Sequence, residues 1–263
     1  MKILFIGDIF GNPGRRVLAQ RLSSLIDEQH VDVCIANGEN AAGGRGITGN
    51  ICKKLRKYGV QVITGGNHSF NIADNDPSFM DHPTVVRPLN YPPGNFGKGS
   101  TVYTLEDGRK IGVVNLMGRT FFPETLDCPF RSGMEAIREL KKQTPIIFVD
   151  FHAEATSEKI AFAFHADGLA SAVIGTHTHV QTADERILPK GTAFLSDAGM
   201  TGPENSCIGM KPGGVISRYL LQTHIRFEPS DESPVISGVI IDADEATGKA
   251  ILINRVYERI TLI

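Results

Sequence analysis

Short apolar segments alternate with amphipathic segments near the start of the chain, and this alternation constrains the fold more than any other feature. Residues 2–7, 31–36 and 60–64 are short and apolar, as is typical of buried strands. Residues 17–26 carry apolar side chains at helical spacing with charged side chains opposite, and residues 48–58 also predict a helix. Strands that alternate with helices at this interval favour βαβ units and a mainly parallel sheet.

The rest of the chain predicts more strands, with fewer helices between them. Ser132 and Glu135 are spaced as a capping box, which predicts a helix over 132–143, and another helix is predicted from about Ser157. Residues 11–14 predict a turn, and Asp107-Gly108 predicts a hairpin. Because no repeat, charge block or linker interrupts the chain, we expect one α/β domain over residues 1–263. The further predicted strands are 84–87, 101–105, 111–116, 145–150, 171–175, 192–196, 221–227, 235–241 and 250–257.

Acidic, amide and imidazole side chains follow five of the predicted strands. In open α/β sheets, functional sites form in the loops beyond the carboxyl ends of the strands. One such residue means little, because an Asp there is more often a helix N-cap and an Asn is more often a turn residue. Five strand ends that carry only these side chains predict a site. The residues are Asp8, Glu39, Asn40, Asn67, His68, His152, His177 and His179.

These residue types indicate a centre of two divalent metal ions. Carboxylate and amide oxygens with imidazole nitrogens, and no thiolate, suit Mn²⁺, Fe²⁺ or Zn²⁺. Two ions roughly 3.5–4 Å apart need a bridging ligand, and Glu39 is the central candidate. In an extended segment the side chains of His177 and His179 start on opposite faces. This spacing favours one histidine reaching each ion. Residues 43–46 predict a flexible loop rather than a phosphate cradle, because no GxxxxGK[ST] motif occurs.

Composition argues against several other classes of protein. Lys and Arg total 27 and Asp and Glu total 29, and this net charge of −2 argues against binding of duplex nucleic acid. Basic and aromatic residues are not clustered, which argues against RNA binding. The four cysteines form no CxxC pair and are predicted to be free thiols. The apolar run 3–6 is too short for a signal peptide or a membrane span, so we expect a cytoplasmic protein with no membrane partner.

Several uninterrupted stretches resemble the calcineurin-like metallophosphoesterase superfamily, and more closely its YmdB-like branch of bacterial phosphodiesterases. The resemblance runs from the first residues to about Gly214. Phe10, Glu39 and Ser69 stand where the general superfamily pattern has a His, an Asp and an acidic residue, and the YmdB-like branch shares these departures. The stretches that carry the resemblance are Ile6-Gly7-Asp8, 37–42, Gly66-Asn67-His68, 150–158 and 175–184.

The resemblance implies a fold and a metal centre. The fold would be a four-layer α/β/β/α sandwich in which two mixed β-sheets are flanked by helices. The metals would be two divalent ions per chain, iron or manganese with zinc as an alternative, and His68 would act as the general acid. The implied ligand sets are Asp8, Glu39, Asn40 and His179 for one ion, and Glu39, Asn67, His152 and His177 for the other.

The resemblance also implies hydrolysis of cyclic nucleotides, with 2′,3′-cyclic AMP as the usual substrate. In this hypothesis a hydroxide between the two metals attacks phosphorus, and His68 protonates the leaving ribose oxygen. A phosphomonoesterase acting on nucleotides or phosphoproteins, and a metallated cyclic-nucleotide sensor with incidental hydrolysis, are the alternatives. Arg119 or Lys211 could hold the phosphate, although surface solvation is the expected role of each. A homo-oligomer, either dimer or tetramer, is compatible with the sequence.

Overall fold

Within residues 1–71 and 77–261, the computed structural model has five α-helices and thirteen β-strands. A 3₁₀ helix, Pro77–Asp81, follows the fourth strand. The α-helices are α1 (Gly11–Gln29), α2 (Gly49–Tyr58), α3 (Pro129–Lys141), α4 (Thr156–Ala166) and α5 (Pro212–Leu221). The strands are β1 (Lys2–Ile6), β2 (Asp8–Ile9), β3 (Val33–Asn37), β4 (Val62–Thr64), β5 (Ser100–Thr104), β6 (Lys110–Met117), β7 (Ile147–His152), β8 (Ala172–Thr176), β9 (Arg186–Ile187), β10 (Ala193–Leu195), β11 (Met200–Pro203), β12 (Pro234–Ala243) and β13 (Ala250–Arg259).

The first sheet joins the opening strands of the chain to its last strands. Its order is β2-β11-β12-β1-β3-β4, and β13 pairs with β12. The strands β1, β3 and β4 are parallel, with Ile3 opposite Val33 and Ile35 opposite Val62. The late strand β12 runs antiparallel to β1. The strand β12 therefore completes the sheet that β1 begins.

The second sheet comes from the middle of the chain. Its order is β5-β6-β7-β8-β10-β9, with four parallel central strands. The edge strands β5 and β9 run antiparallel to their neighbours. The predicted hairpin between β5 and β6 is confirmed, and Gly108 takes the left-handed conformation there, with φ of 88°.

Alternate residues of each strand pack on opposite faces of the sheets. Ile3 and Phe5 of β1 lie in the core between the sheets, where the Phe5 ring centroid is 4.9 Å from that of Phe148. Leu4 and Ile6 face the other way and pack against α1 and α2. A third cluster joins the second sheet to α3 and α4. These contacts build the expected four-layer α/β/β/α sandwich, and each fully buried Phe or Leu contributes about 1.5–3 kcal/mol of hydrophobic stabilisation.

The first helix begins earlier than the sequence predicts. The predicted turn at 11–14 is wrong, because α1 starts at Gly11 and Pro13 lies in its first turn. Proline is tolerated there because the first N–H groups of a helix have no partner within the helix. Gly14 packs so closely on β11 that a Cβ would collide with the carbonyl oxygen of Thr201. Residues that suggest a turn thus allow the helix to begin directly against the sheet.

Two predicted strands do not form as expected. Residues 221–227 are not a strand, because α5 continues to Leu221 and ends at Gln222 in the left-handed conformation. Residues 84–87 make only isolated bridges, from Val85 to Ile63 and from Val86 to Lys98. Short apolar runs do not separate a strand from a helix end or a bridging loop, so tertiary packing decided both cases.

The predicted capping box at the start of α3 is also wrong. The helix begins at Pro129, three residues before Ser132. The Ser132 hydroxyl instead donates to the carbonyl oxygen of Cys128, at 3.1 Å. Proline at the first helical position has its φ angle already set for a helix, so the helix starts there rather than at the serine.

All four cysteines are free thiols, as their spacing predicts. Burial raises the pKa of the Cys34 thiol, so this group stays protonated and inert. Among residues 1–71 and 77–261, no helix combines the length and the apolar character needed to cross a membrane.

The carboxyl ends of the parallel strands in both sheets meet at one edge of the sandwich. Asn37, at the end of β3, donates through Nδ2 to Oδ2 of Asp150 in β7, at 2.9 Å. Asp8, just after β1, accepts a hydrogen bond from the backbone N–H of His177, just after β8, at 3.1 Å. Polar residues from distant parts of the sequence therefore come together at this edge.

Candidate functional site

Asp8 is a completely buried carboxylate with one oxygen that has no partner. Its Oδ2 accepts the His177 N–H, but its Oδ1 has no hydrogen-bond partner in the protein. Burial, opposed by the charge of His152 and assisted by that of Glu39, raises the pKa of Asp8 well above its usual range. An unpaired buried carboxylate oxygen is costly, and a bound cation would satisfy it.

Glu39 lies at the centre of a cluster of ligand atoms. Its Oε1 is 3.1 Å from Nε2 of His152, which is also 2.9 Å from Oδ1 of Asn67 and 3.1 Å from Nδ1 of His177. Glu39 and His152 are buried, and one ligand atom each from Glu39, His152 and His177 lie within 4.8 Å of one another. This group has the donor types and the spacing to hold a divalent ion.

Hydrogen bonds fix which nitrogen of His152 faces this cluster. Its Nδ1 is 2.9 Å from Oγ1 of Thr176, and that hydroxyl donates to Oδ1 of Asp150 at 2.7 Å. Because the hydroxyl proton is used by Asp150, Nδ1 of His152 must donate to Thr176. The Nε2 atom of His152 is left to face Glu39, as expected for a metal-ligating histidine whose other nitrogen donates to a neighbouring group.

The charges around His152 keep it protonated when no metal is bound. Burial by itself lowers the pKa of His152, but the charges of Glu39, Asp8 and Asp150 outweigh burial and raise it to about 9. Burial raises the pKa of Glu39, and the neighbouring His152 and His68 outweigh that effect and lower it to about 2. Glu39 is therefore ionised at neutral pH, and the proton on His152 occupies a position that a metal could take.

His177 presents a free lone pair to the same cluster. Its Nε2 is 3.0 Å from Oε2 of Glu154, and because a carboxylate accepts, Nε2 donates and Nδ1 keeps the lone pair. Burial, followed by the charge of His152, lowers the pKa of His177 to about 3. The ring is therefore neutral and able to bind a metal at neutral pH.

His179 and Asn40 bring together a second pair of atoms with the chemistry to bind a metal. Nδ1 of His179 lies 3.1 Å from the carbonyl oxygen of Ile208, which only accepts, so His179 donates there and Nε2 keeps its lone pair. Nδ2 of Asn40 donates to the carbonyl oxygen of Gly44, so its Oδ1 faces Nε2 of His179 at 3.3 Å. Burial lowers the pKa of His179, so two lone pairs face each other without a proton between them.

Left-handed backbone turns separate the two histidines after β8. His177 has φ of 106° and His179 has φ of 65°. Residues other than glycine adopt these backbone conformations at a cost of about 1–3 kcal/mol. His177 contacts His152 and Glu154, whereas His179 contacts Asn40. The two rings therefore face different groups.

A buried ion pair supports this loop. Nζ of Lys159 in α4 is 2.8 Å from Oδ2 of Asp197, and both side chains are about 2% exposed or less. The same Oδ2 accepts the backbone N–H of Thr178 at 3.0 Å, and Oδ1 accepts that of Gly199 at 2.9 Å. Asp197 therefore holds the peptide between His177 and His179 in place.

His68 lies beside the cluster and is half-buried. Its backbone N–H donates to Oε2 of Glu39 at 2.9 Å, and its Nδ1 is 3.0 Å from Oδ1 of Asn71. Gly66 precedes this turn, and a Cβ there would collide with Oε2 of Glu39 and with the ring of His152. The glycine therefore lets the backbone approach the cluster, and the carboxylate of Glu39 contacts both the His152 ring and the His68 backbone.

A family model described as YmdB-like protein matches residues 4–256. The chain belongs to the YmdB-like family. The match continues past Gly214, where the resemblance read from the sequence ended, and it includes all of β12 and most of β13. The resemblance to this branch is confirmed, and it is more extensive than the sequence analysis indicated.

Named relatives of this YmdB-like chain cover nearly its whole length. A Bacillus subtilis (strain 168) protein named 2′,3′-cyclic-nucleotide 2′-phosphodiesterase is 48% identical over 256 residues, which are 97% of this chain and 96% of that protein. A crystal structure described as a novel phosphatase from Mycoplasma pneumoniae has 35% identity and a TM-score of 0.92, covering 98% of this chain and 93% of that one. A hypothetical protein from Thermus thermophilus has 37% identity and a TM-score of 0.91, with coverage of 98% and 99%.

Several polar residues around the YmdB-like site were missed by the sequence analysis. Asp197 comes two residues after β10, so it carried the same strand-end signal as the predicted ligands. Glu154, two residues after the end of β7, had a weaker form of that signal. Lys159 had none, because a buried lysine in an amphipathic helix looks like a surface residue until its partner is known.

The arginine residues that line the cavity are not the two basic residues considered from the sequence, Arg119 and Lys211. Arg45 and Arg218 line the cavity beside the cluster. Lys211 instead forms an exposed ion pair with Glu228 at 3.0 Å, and Arg119 is exposed outside the cavity. The glycine-rich loop 43–46 therefore supplies a cation to this cavity in addition to serving as a connection.

Metal binding should release a proton from the YmdB-like site. The pKa of His152 is about 9 in the absence of metal, so at about pH 7.5 a metal that binds Nε2 displaces one proton. Below about pH 9 the metal must compete with this proton for His152. The apparent metal affinity should therefore rise about tenfold for each unit by which the pH is raised towards 9. Titration calorimetry in two buffers of different ionisation enthalpy measures the released proton, and heats that are independent of the buffer would contradict the prediction.

Replacing Thr176 with valine should weaken the support of His152. The change keeps the shape of the side chain but removes the hydroxyl that links His152 to Asp150. Leaving these buried groups without a partner should cost about 1–3 kcal/mol of unfolding free energy, and metal affinity should fall about 10–100-fold. Denaturant unfolding and metal titration measure the two effects. Thr104→Val, at the exposed end of β5, is the control. Equal effects of the two variants would contradict a role for the Thr176 hydroxyl in holding His152.

Proposed function

We propose that this chain is a metal-dependent phosphodiesterase that hydrolyses 2′,3′-cyclic nucleotides. The observation that carries the proposal is the convergence of ligand atoms from Glu39, His152 and His177, together with the unpaired Oδ1 of Asp8, which lies 3.9 Å from Nδ1 of His152. The 48% identity to the Bacillus subtilis 2′,3′-cyclic-nucleotide 2′-phosphodiesterase supports the substrate class. The shared core of both sheets supports one catalytic domain over residues 1–263.

The proposal includes two divalent ions, iron or manganese with zinc as an alternative. The oxygen and nitrogen donors, without thiolate, fit these ions. Glu39 would contact both ions, since its carboxylate has two oxygens and lies at the centre of the cluster. The proposed ligand sets are Asp8, Glu39, Asn40 and His179 for one ion, and Glu39, Asn67, His152 and His177 for the other. The contacts of Asn40 with His179, and of His152 with Asn67 and His177, support this division.

The residues of the chain would orient the substrate and supply a proton. Divalent ions, when bound here, would lower the pKa of a water molecule and offset charge on the phosphoryl oxygens. His68 lines the cavity, and Oδ1 of Asn71 accepts from its Nδ1, so Nε2, 3.5 Å from Nδ2 of Asn67, is the atom that would carry a proton to the leaving ribose oxygen. Arg45 and Arg218 bring positive charge to a chain whose net charge is −2, which favours an anionic substrate.

The test combines metal content with turnover. The protein is purified without a metal-binding tag, its metals are counted by mass spectrometry, and hydrolysis of 2′,3′-cyclic AMP is measured. Two ions per chain with hydrolysis is the expected result. Preference for p-nitrophenyl phosphate over bis-p-nitrophenyl phosphate would favour a phosphomonoesterase, and tight nucleotide binding without turnover would favour a sensor. Absence of metal after reconstitution with Fe²⁺ and Mn²⁺ would overturn the proposal.

A further inference from the structure

A cavity of about 570 Å³ opens beside the metal-ligand cluster, and its walls differ in chemistry. The polar side is formed by the cluster itself, including Glu39, His68 and His179. The opposite side is apolar and aromatic, and Met210 and Tyr219 belong to it. The volume lies within the roughly 300–1,000 Å³ typical of small-molecule sites. The metal centre accounts for the polar side but gives no reason for the apolar one.

Helix α5 forms much of the apolar wall without packing into the core. No residue of this helix is buried, and Tyr219 is 75% exposed. An aromatic ring left in water contributes little to folding, because hydrophobic stabilisation depends on the area removed from water. The stability of the fold therefore does not explain why this ring stands beside the site.

One face of α5 is turned to the cavity. Val215, Arg218 and Tyr219 all line it, and their spacing of three and four residues places them on one side of the helix. Leu220, the next residue after Tyr219, is exposed and is not part of the cavity lining. The helix thus presents an apolar residue, a cation and an aromatic ring to whatever occupies the cavity.

We propose that this wall of the cavity, with Tyr219 as its stacking platform, is the subsite for the nucleobase of the substrate. The inference rests on the proposed function, since the base and the cyclic phosphate are attached to the same ribose. A substrate with its phosphate at the ligand cluster must place its base elsewhere in the same cavity. A flat base has an apolar face, and aromatic rings and arginine guanidinium groups are the side chains that stack on it.

Arg218 lines the cavity with most of its donors free. Its Nη1 donates to the carbonyl oxygen of Thr223, just beyond the end of the helix, at 2.9 Å, and the side chain is exposed. Among the described residues, the structure shows no ion pair for Arg218 or for Arg45 on the other side of the cavity. A guanidinium group held by a carbonyl retains donors for the edge of a base and a plane for stacking.

The test compares substrates with and without a base. In Tyr219→Ala, KM for 2′,3′-cyclic AMP should rise about tenfold while kcat changes little, since stacking contributes to binding rather than to the chemical step. The comparison substrate is glycerol 1,2-cyclic phosphate, which has the same five-membered diester and no base. The preference for 2′,3′-cyclic AMP over this substrate, as a ratio of kcat/KM values, should fall about tenfold. Tyr219→Phe, which keeps the ring, should retain the preference.

Leu220→Ala is the matched control on the same helix, and the mass of each variant in solution is measured alongside. Unchanged KM in Tyr219→Ala, or an equal loss on both substrates, would overturn the subsite. The subsite would also be overturned if Tyr219→Ala and Leu220→Ala both had a lower mass in solution and a lower kcat/KM. The helix would then be an interface between copies of the chain. If the unmodified protein hydrolyses neither diester, the proposed function itself fails. If the unmodified protein hydrolyses both diesters and Tyr219→Ala keeps the same substrate preference, only the proposed base subsite fails.

Discussion

Replacing Glu39 with alanine should remove both metals and lower kcat/KM for 2′,3′-cyclic AMP by at least about 1,000-fold. Glu39 contacts His152 through Oε1 and the His68 backbone through Oε2, and it is the residue common to both proposed ligand sets. Loss of a metal centre removes several kcal/mol of charge stabilisation, and each 1.4 kcal/mol is about a tenfold change in rate. Metal analysis by mass spectrometry and steady-state kinetics on the same preparation measure the two effects.

The control for this variant is Glu204→Gln, which breaks an exposed ion pair with Arg259 at 2.7 Å. This change should leave metal content and kinetics close to those of the unmodified protein, because exposed ion pairs contribute little. Circular dichroism of Glu39→Ala shows whether its fold survives. Two metals per folded chain of Glu39→Ala would contradict a shared ligand, whereas loss of one metal would restrict Glu39 to a single ion.

Replacing His68 with alanine should lower kcat for 2′,3′-cyclic AMP by about 10²–10⁴-fold and leave the metal content unchanged. The side chain lines the cavity, is in neither proposed ligand set and is held by Asn71 at 3.0 Å. If its role is to protonate the leaving ribose oxygen, a leaving group that needs no proton should be affected much less. Bis-p-nitrophenyl phosphate provides such a leaving group, so the ratio of the losses on the two substrates isolates proton donation.

His82→Ala is the matched control for His68, since His82 is exposed and lies in the turn before Thr84. It should leave the kinetics with both substrates unchanged. Equal losses on the two substrates in His68→Ala would indicate that His68 positions the substrate or the backbone rather than supplying a proton. A loss of metal in His68→Ala would instead indicate that the side chain supports the ligand cluster.

The strand-end residues could be found from the sequence because the physics behind them is local. A short apolar segment followed by Asp8 or Asn67 predicts both a strand and its polar end, and parallel strands bring their carboxyl ends to one edge. The same rule applied to β10 would have identified Asp197. The pattern does not show that Lys159, far away on a helix, neutralises Asp197, because that pairing depends on how α4 packs on the sheet.

The errors in the predicted elements have a common origin in packing. Gly11 to Gly14 suggest a turn by composition, but close contact with β11 makes them the first turn of α1. Residues 221–227 are apolar enough for a strand, yet the helix α5 ends there beside the cavity. A local sequence pattern reports the preference of a segment, and the tertiary structure overrides that preference when neighbouring elements compete for the same residues.

The amino-acid sequence by itself determined the alternation of strands and helices, the polar residue types at the strand ends and the family, because each depends on local order or on long matching stretches. Only the tertiary structure decided that β12 completes the first sheet, that Thr176 of β8 orients His152 of β7, and that α5 places Tyr219 in the cavity. These features depend on contacts between residues far apart in the chain. Such contacts arise when two sheets and their helices bury a shared core, which no local pattern encodes.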